Sequence, residues 1–266
     1  MIDLRLREHG KAGRVATLVI DNAAKLNCMS KGVRDALLAA CAELAGAELE
    51  GDKALRAVVI RGAGERAFIG GADVRELNAL DGAAAAEAFI TDIHRCCDAM
   101  RALPVPVIAR IQGYVLGAGL ELAAACDIRV ASDDSHFGMP EVKIGLPSVV
   151  EAALLPQLIG WGRTRYLLLT GETVAVRDAR DWGMFDLVVP PERLDAEVER
   201  IVAAIVESGP VAVRAQKALV RAWETLPIGQ SIQHSIKVFG EAWHTDEPTR
   251  MTGERLAEMA ARKQRS

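Results

Sequence analysis

Apolar and polar positions alternate between two periods along the first half of the chain. Val15-Ala16-Thr17-Leu18-Val19-Ile20 is a nearly continuous apolar run, the pattern of a strand buried on both faces. Residues 2–8 read as a strand before it, with Gly10 to Gly13 as the connection. Asp21 to Asn27 is polar and loop-like, and Ser30 is a good N-cap for a helix that starts there. Val33, Leu37, Leu38, Cys41 and Leu44 fall at helical spacing, and residues 45–54, small and charged, read as a surface connection. Arg56 to Arg61 is the next buried strand, broken by Gly62-Ala63-Gly64-Glu65-Arg66. Ala67-Phe68-Ile69 then runs into Gly70-Gly71 and, through Asp73, into a short helix. Two adjacent glycines suggest positive φ or a backbone that a ligand approaches closely.

The spacing predicts a long helix over 83–103, with Phe89, Ile93, Cys97 and Met100 on its apolar stripe. Pro104 and Pro106 end it and open the strand Val107 to Ile111. A buried helix comes next over Leu120 to Ala125, then a strand over Asp127 to Ala131. Strands alternating with helices imply an α/β fold with a mostly parallel sheet. After Pro147 the pattern changes. Residues 149–170 and 174–182 read as helical, Phe185 to Val189 as one short strand, and 192–207, 210–225, 228–242 and 247–263 as helices. Such a helical C-terminal region folds back on its own core or packs against a partner subunit.

Composition narrows the function classes. A chain of 266 residues, half of them hydrophobic, can bury a sizeable core as one large domain, alone or with a small appendage. The net charge of −4 gives no basic field for nucleic acid, and Arg262-Lys263-Gln264-Arg265 reads as a solvated helix end. No window approaches the ~18 apolar residues of a membrane span, and no apolar segment follows Met1-Ile2-Asp3-Leu4-Arg5 as in a signal peptide. A cytoplasmic protein that binds no membrane is expected, or one of an organelle matrix with any targeting segment missing. Cys28, Cys41, Cys96, Cys97 and Cys126 form no CxxC pair and read as reduced, mostly buried thiols. His9, His94, His136, His234 and His244 lack metal-ligand spacing, so no metal site is expected. His136 reads as structural, Tyr114 as packing, and Trp161, Trp182, Trp223 and Trp243 as core or interface anchors.

Candidate chemistry concentrates between Gly113 and Glu141. Gly117-Ala118-Gly119 is a glycine-rich turn with Glu121 close behind it, and Met139-Pro140-Glu141 closes the stretch. A turn with free N–H groups and two carboxylates at fixed intervals can form an oxyanion site with an acid and a base beside it. Ala67-Phe68-Ile69-Gly70-Gly71-Ala72-Asp73-Val74, Gly113 to Leu122, Ala125-Cys126-Asp127-Ile128 and Phe137-Gly138-Met139-Pro140-Glu141, in this order and spacing, resemble the crotonase (enoyl-CoA hydratase/isomerase) superfamily. The resemblance covers residues 14 to 225 or so. It implies a spiral of ββα units in two nearly perpendicular sheets over residues 1–195, carrying the acyl-CoA site. Residues 196–266 would then be a helical region for oligomerisation and pocket closure, in a homotrimer or a dimer of trimers.

The same resemblance implies that the N–H groups of Ala72 and Ala118 hold a thioester oxygen. It assigns Glu141 as the proton donor to Cα and Glu121 as the carboxylate that activates water. It places the acyl-CoA along Lys25, Leu26, Cys28, Phe68, Ile69, Gly71, Asp73, Gly117, Pro140 and Ser148, with Lys25 a candidate for a phosphate. No separate cofactor is implied, since coenzyme A is part of the substrate. Gly145-Leu146-Pro147-Ser148-Val149-Val150-Glu151-Ala152 departs from the family pattern near the expected acyl pocket. Glu151 reads first as a charge at a helix N-terminus and second as substrate-facing, and His244 to Met251 as interface or pocket rim. The expected activity is hydration of a short- or medium-chain 2-enoyl-CoA. Alternatives are a hydratase, hydrolase or lyase for a substituted acyl-CoA, and an enoyl-CoA isomerase, against which the second carboxylate, Glu121, counts.

Overall fold

The computed structural model describes residues 1–9, 13–49 and 55–265, and divides into two compact units, Met1–Ala203 and Ala204–Ser266. The first unit opens with β1 (Ile2–Glu8), β2 (Arg14–Ile20) and α1 (Lys31–Leu49). It continues with β3 (Leu55–Gly62), β4 (Ala67–Ile69), α2 (Val74–Asn78) and α3 (Gly82–Ala102). Next come β5 (Val107–Ile111), β6 (Tyr114–Leu116), α4 (Ala118–Ala125), β7 (Ile128–Ser132) and β8 (His136–Gly138). After two short 3-10 turns, Pro140–Ile144 and Val150–Leu154, it ends with α5 (Leu155–Thr170), β9 (Thr173–Ala175) and β10 (Leu187–Val189). Helix α6 (Leu194–Glu207) crosses the boundary between the units.

The strands sort into two sheets by a simple rule. β3, β5 and β7 enter a six-stranded sheet ordered β1-β2-β3-β5-β7-β10, and the short strand after each, β4, β6 and β8, enters a four-stranded sheet ordered β4-β6-β8-β9. Each of these three strand pairs therefore contributes one long and one short strand, whereas β1 and β2, ahead of α1, both lie in the six-stranded sheet. Pairing is parallel except for β1 with β2 and β8 with β9. The long strands are buried on both faces, which explains their continuous apolar runs. The core between sheets and helices includes Phe68, Phe137, Leu37, Ile60, Ile93 and Met100, all fully buried, each contributing roughly 2 kcal/mol of apolar burial.

Some expectations are corrected here. Helix α1 runs to Leu49, beyond Leu44, and residues 50–54 of the expected connection lie outside the described residues, as do 10–12. Tyr114–Leu116 and His136–Gly138 are strands of three residues each, too short to leave a period-2 signal. The segment 149–170 is not one helix: the 3-10 turn Val150–Leu154 precedes α5, which Gly160 (φ 75°) breaks. The segment 174–182 begins in β9 and continues as a 3-10 turn, Val176–Trp182. Trp161, Trp223 and Trp243 are exposed, which excludes the core half of their core-or-interface reading and leaves the interface half, while Trp182 packs edge-on against Phe137. All five cysteines are buried thiols.

The second unit contains α7 (Pro210–Trp223), α8 (Ile228–Glu241) and α9 (Glu247–Arg265). The Glu247 carboxylate accepts the N–H groups of Val211 and Ala212 at 3.1 and 2.9 Å, capping α7. Ile228, Ile232, Ile236 and Phe239 recur at helical spacing on α8 and are exposed. No helix among the described residues is long and apolar enough to cross a membrane.

Candidate active site

Two glycine turns and two short 3-10 turns build the site. The first glycine turn follows β4. The Gly70 N–H donates to the Leu26 carbonyl at 2.8 Å, and the Met29 N–H donates to the Gly71 carbonyl at 2.8 Å. Gly71 has φ 112°, a conformation that a side chain resists. Asp73 then caps α2, its Oδ1 accepting the Arg75 N–H at 3.0 Å. Between these anchors the Ala72 N–H has no protein acceptor among the described residues.

The second glycine turn follows β6. Gly117 has φ 50°, donates its N–H to Gly138 and accepts the N–H groups of Leu120 and Glu121 at 2.8 and 3.0 Å. The Ala118 N–H opens α4 and also lacks a protein acceptor among the described residues. A methyl group on Gly119 would overlap the Ile69 carbonyl, so α4 lies directly against β4. A methyl group on Gly117 would overlap Glu141 Oε1 and lie 4.0 Å from the Gly71 Cα. The two turns thus face each other with the Glu141 carboxylate beside them. Two free N–H groups there, one at the N-terminus of α4, can hold a developing negative oxygen.

Glu121 is buried, 4% exposed, on the first turn of an α4 whose residues are all buried. Burial, then the charges of Glu141 and Glu151, push its carboxyl up to about 8, against a smaller lowering effect of the backbone N–H groups of Ala152 and Val149. Glu141 lies in the 3-10 turn Pro140–Ile144 with Pro140 ahead of it, and its Oε2 accepts the Ser148 hydroxyl at 2.7 Å. The structure therefore brings together Ala72, Ala118, Gly71, Gly117, Glu141 and Ser148, with Glu121 close enough to feel the charge of Glu141.

The expected coenzyme A contacts fall into two groups. Lys25, half-exposed, pairs with the buried Asp73 at 2.9 Å, which holds the Asp73 carboxyl below its ordinary range. Cys28 is buried with its Sγ 3.8 Å from Asp73 Oδ2, and burial raises its thiol. Leu26 is half-buried with φ 53°. The side chains of Phe68 and Ile69 are fully buried in the core, so a ligand reaches only their backbone.

Residues beyond the expected site residues also shape the site. Asn27, φ 56° and 1% exposed, donates to the carbonyls of Ala63 and Ala67 and accepts the Asn22 N–H, pinning the loop against β4. The signal available in the sequence was an Asn where the chain turns left-handed. Glu151 lies in the first turn of the 3-10 segment Val150–Leu154, as a helix-start charge does, but it is buried, and its Oε1 pairs with His94 Nδ1 at 2.8 Å. Tyr114 is exposed and lies beside His136 across the β6–β8 ladder, with ring centroids 5.6 Å apart. Among the described residues no group of His, Cys, Asp and Glu could hold a metal ion.

Comparison with known proteins gives one consistent result. The family model described as enoyl-CoA hydratase/isomerase matches residues 10–260. The chain is 30% identical over 241 residues to the short-chain-enoyl-CoA hydratase of Clostridium acetobutylicum, covering 89% of each. It is 31% identical over 244 residues to the crotonyl-CoA hydratase of Syntrophomonas wolfei, again covering 89% of each. The crystal structure of an enoyl-CoA hydratase from Mycobacterium smegmatis superposes with a TM-score of 0.88 at 29% identity, over 96% of each chain.

Proposed function

The chain belongs to the enoyl-CoA hydratase/isomerase family, and from that membership and the site geometry we infer that it is an enoyl-CoA hydratase. It adds water across the 2,3 double bond of a 2-enoyl-CoA to give a 3-hydroxyacyl-CoA, with a short or medium acyl chain. The observation that carries the residue assignment is the approach of Glu141 to the Gly71 and Gly117 turns, beside the unengaged N–H groups of Ala72 and Ala118.

The chemistry derives from these positions. The Ala72 and Ala118 N–H groups hold the thioester oxygen and stabilise its charge as the enolate forms. The Glu121 carboxylate takes a proton from water as the oxygen bonds to Cβ. The enolate then collapses and Cα takes a proton from Glu141. The pair begins and ends with one proton, but on opposite members. In the free site, burial and the neighbouring charges put that proton on Glu121. That state begins the reverse reaction, in which Glu121 protonates the leaving hydroxyl and Glu141 takes the α-proton. Hydration begins after the proton has passed to Glu141.

Lys25 leaves Asp73 to meet a phosphate of coenzyme A, whose pantetheine arm meets the backbone of Ile69 and Gly71. The exposed apolar residues Val142, Ile144, Leu146 and Val149 flank Glu141 and Ser148 and form the acyl rim. The exposed stripe on α8 packs against further copies of the chain in a trimer or dimer of trimers, in the cytoplasm.

The test uses crotonyl-CoA and monitors loss of the conjugated enoyl absorbance alongside release of free thiol. Absorbance loss without thiol release is expected; thiol release makes the protein a hydrolase. A Glu121→Gln or Glu141→Gln variant with the full hydration rate removes that residue from the mechanism.

A further inference from the structure

The turn just after Ser148 holds a third carboxylate against the site. Glu151 sits in the 3-10 turn Val150–Leu154, its side chain 8% exposed, and its Oε2 is buried with no hydrogen-bond partner among the described residues. Its Oε1 pairs with His94 Nδ1 at 2.8 Å, and His94 is half-exposed on α3. The turn packs on α4, the helix that carries Glu121. Val150 adopts φ 42°, a left-handed conformation that a β-branched residue resists, so the surroundings hold the turn in place against strain. A buried carboxylate with one oxygen unpaired is costly, so its presence calls for a reason other than stability.

We propose that Glu151, held by His94 in the buried turn that packs on α4, is a positioning residue of the catalytic centre that acts through Glu121. This rests on the hydratase reading above. Glu151 is one of two carboxylates whose charge raises the proton affinity of Glu121. The other groups near this charge are Glu141 from the turn after β8 and, on α3, Cys97 beside His94. From α5, which packs on the same turn, the buried residues are Leu155, Ile159, Thr164 and Leu167, none of them titratable in this range.

Glu151→Gln removes a negative neighbour of Glu121, so the alkaline limb of kcat/KM, where Glu121 loses its proton, moves to lower pH by roughly half a unit or more. His94→Ala removes the hydrogen-bond partner of Glu151 Oε1 and leaves a buried carboxylate with neither oxygen bonded, which takes up a proton rather than stay charged, so the limb moves the same way. The experiment is the pH profile of crotonyl-CoA hydration for the wild-type enzyme and both variants, with thermal melts run in parallel. Limbs moved to lower pH in variants that melt cooperatively support the proposal. A limb that is unmoved or raised in either variant overturns it. If Glu151→Gln does not fold, the His94→Ala limb alone decides. Wild-type hydration is measured in the same series, so failure of the hydratase reading shows separately as an inactive parent enzyme.

Discussion

Glu141 Oε1 occupies the space that a side chain on Gly117 would need. The glycine is therefore required twice, once for its φ of 50° and once to let the carboxylate reach the turn. Gly117→Ala is expected to cost about 1–3 kcal/mol of stability through backbone strain. It should also lower kcat/KM by roughly 100-fold, because it pushes Glu141 away from its working position. Paired melting and hydration assays check this; near-wild-type hydration at reduced stability would mean that Glu141 works from elsewhere.

Ser148 acts on Glu141 from the other side, donating its hydroxyl to Oε2 at 2.7 Å. A hydrogen bond to a charged group contributes about 1.5–3 kcal/mol, so Ser148→Ala should lower kcat/KM at least roughly ten-fold. Ser148→Thr, which keeps the hydroxyl, should recover most of that loss. Equal rates for all three enzymes would show the hydrogen bond to be idle.

Burial of Glu121 makes stability depend on pH. Its carboxyl lies near 8 in the folded protein and at the ordinary 4.5 when unfolded. Between those values the unfolded chain has released a proton that the folded chain keeps. The stabilisation is full below about pH 4.5 and is lost progressively as pH rises through about 8. Glu121→Gln cannot titrate, so it should melt near the wild type at pH 5 and roughly 3 °C or more above it at pH 8. Parallel melting curves across that range would place Glu121 in a wetter environment than its 4% exposure implies.

Asp73 holds Lys25 in the free site at 2.9 Å. In the proposed function a phosphate of coenzyme A replaces Asp73 when substrate binds. Lys25→Ala should therefore raise KM several-fold for crotonyl-CoA, with kcat little changed. It should leave KM unaltered for a crotonyl-pantetheine thioester, which lacks the nucleotide. Equal effects on both substrates would assign Lys25 to the loop fold alone.

The long strands and the apolar faces of α1 and α3 were legible because burial imposes a period that one chain carries by itself. Val15 to Ile20, Val33 to Leu44 and Phe89 to Met100 are cases of this kind. The strands Tyr114–Leu116 and His136–Gly138 were not, since three residues carry too little period to detect. The turn Val150–Leu154 resembled helix in sequence because its left-handed Val150 leaves no signal there; a glycine or asparagine would have marked it.

By itself the sequence determined which groups are present: the glycine turns at Gly70-Gly71 and Gly117-Ala118-Gly119, the carboxylates Glu121 and Glu141, and the family that arranges them. It also implied that Glu121 is buried, because its helix neighbours are Leu and Ala. The tertiary structure alone decided which groups meet. Gly71 and Glu141 lie far apart in the chain yet converge at Gly117, and Glu151 pairs with His94 from an earlier helix. Electrostatic coupling depends on distance and burial, which local sequence does not encode, so the third carboxylate at Glu151 emerged only in the folded chain.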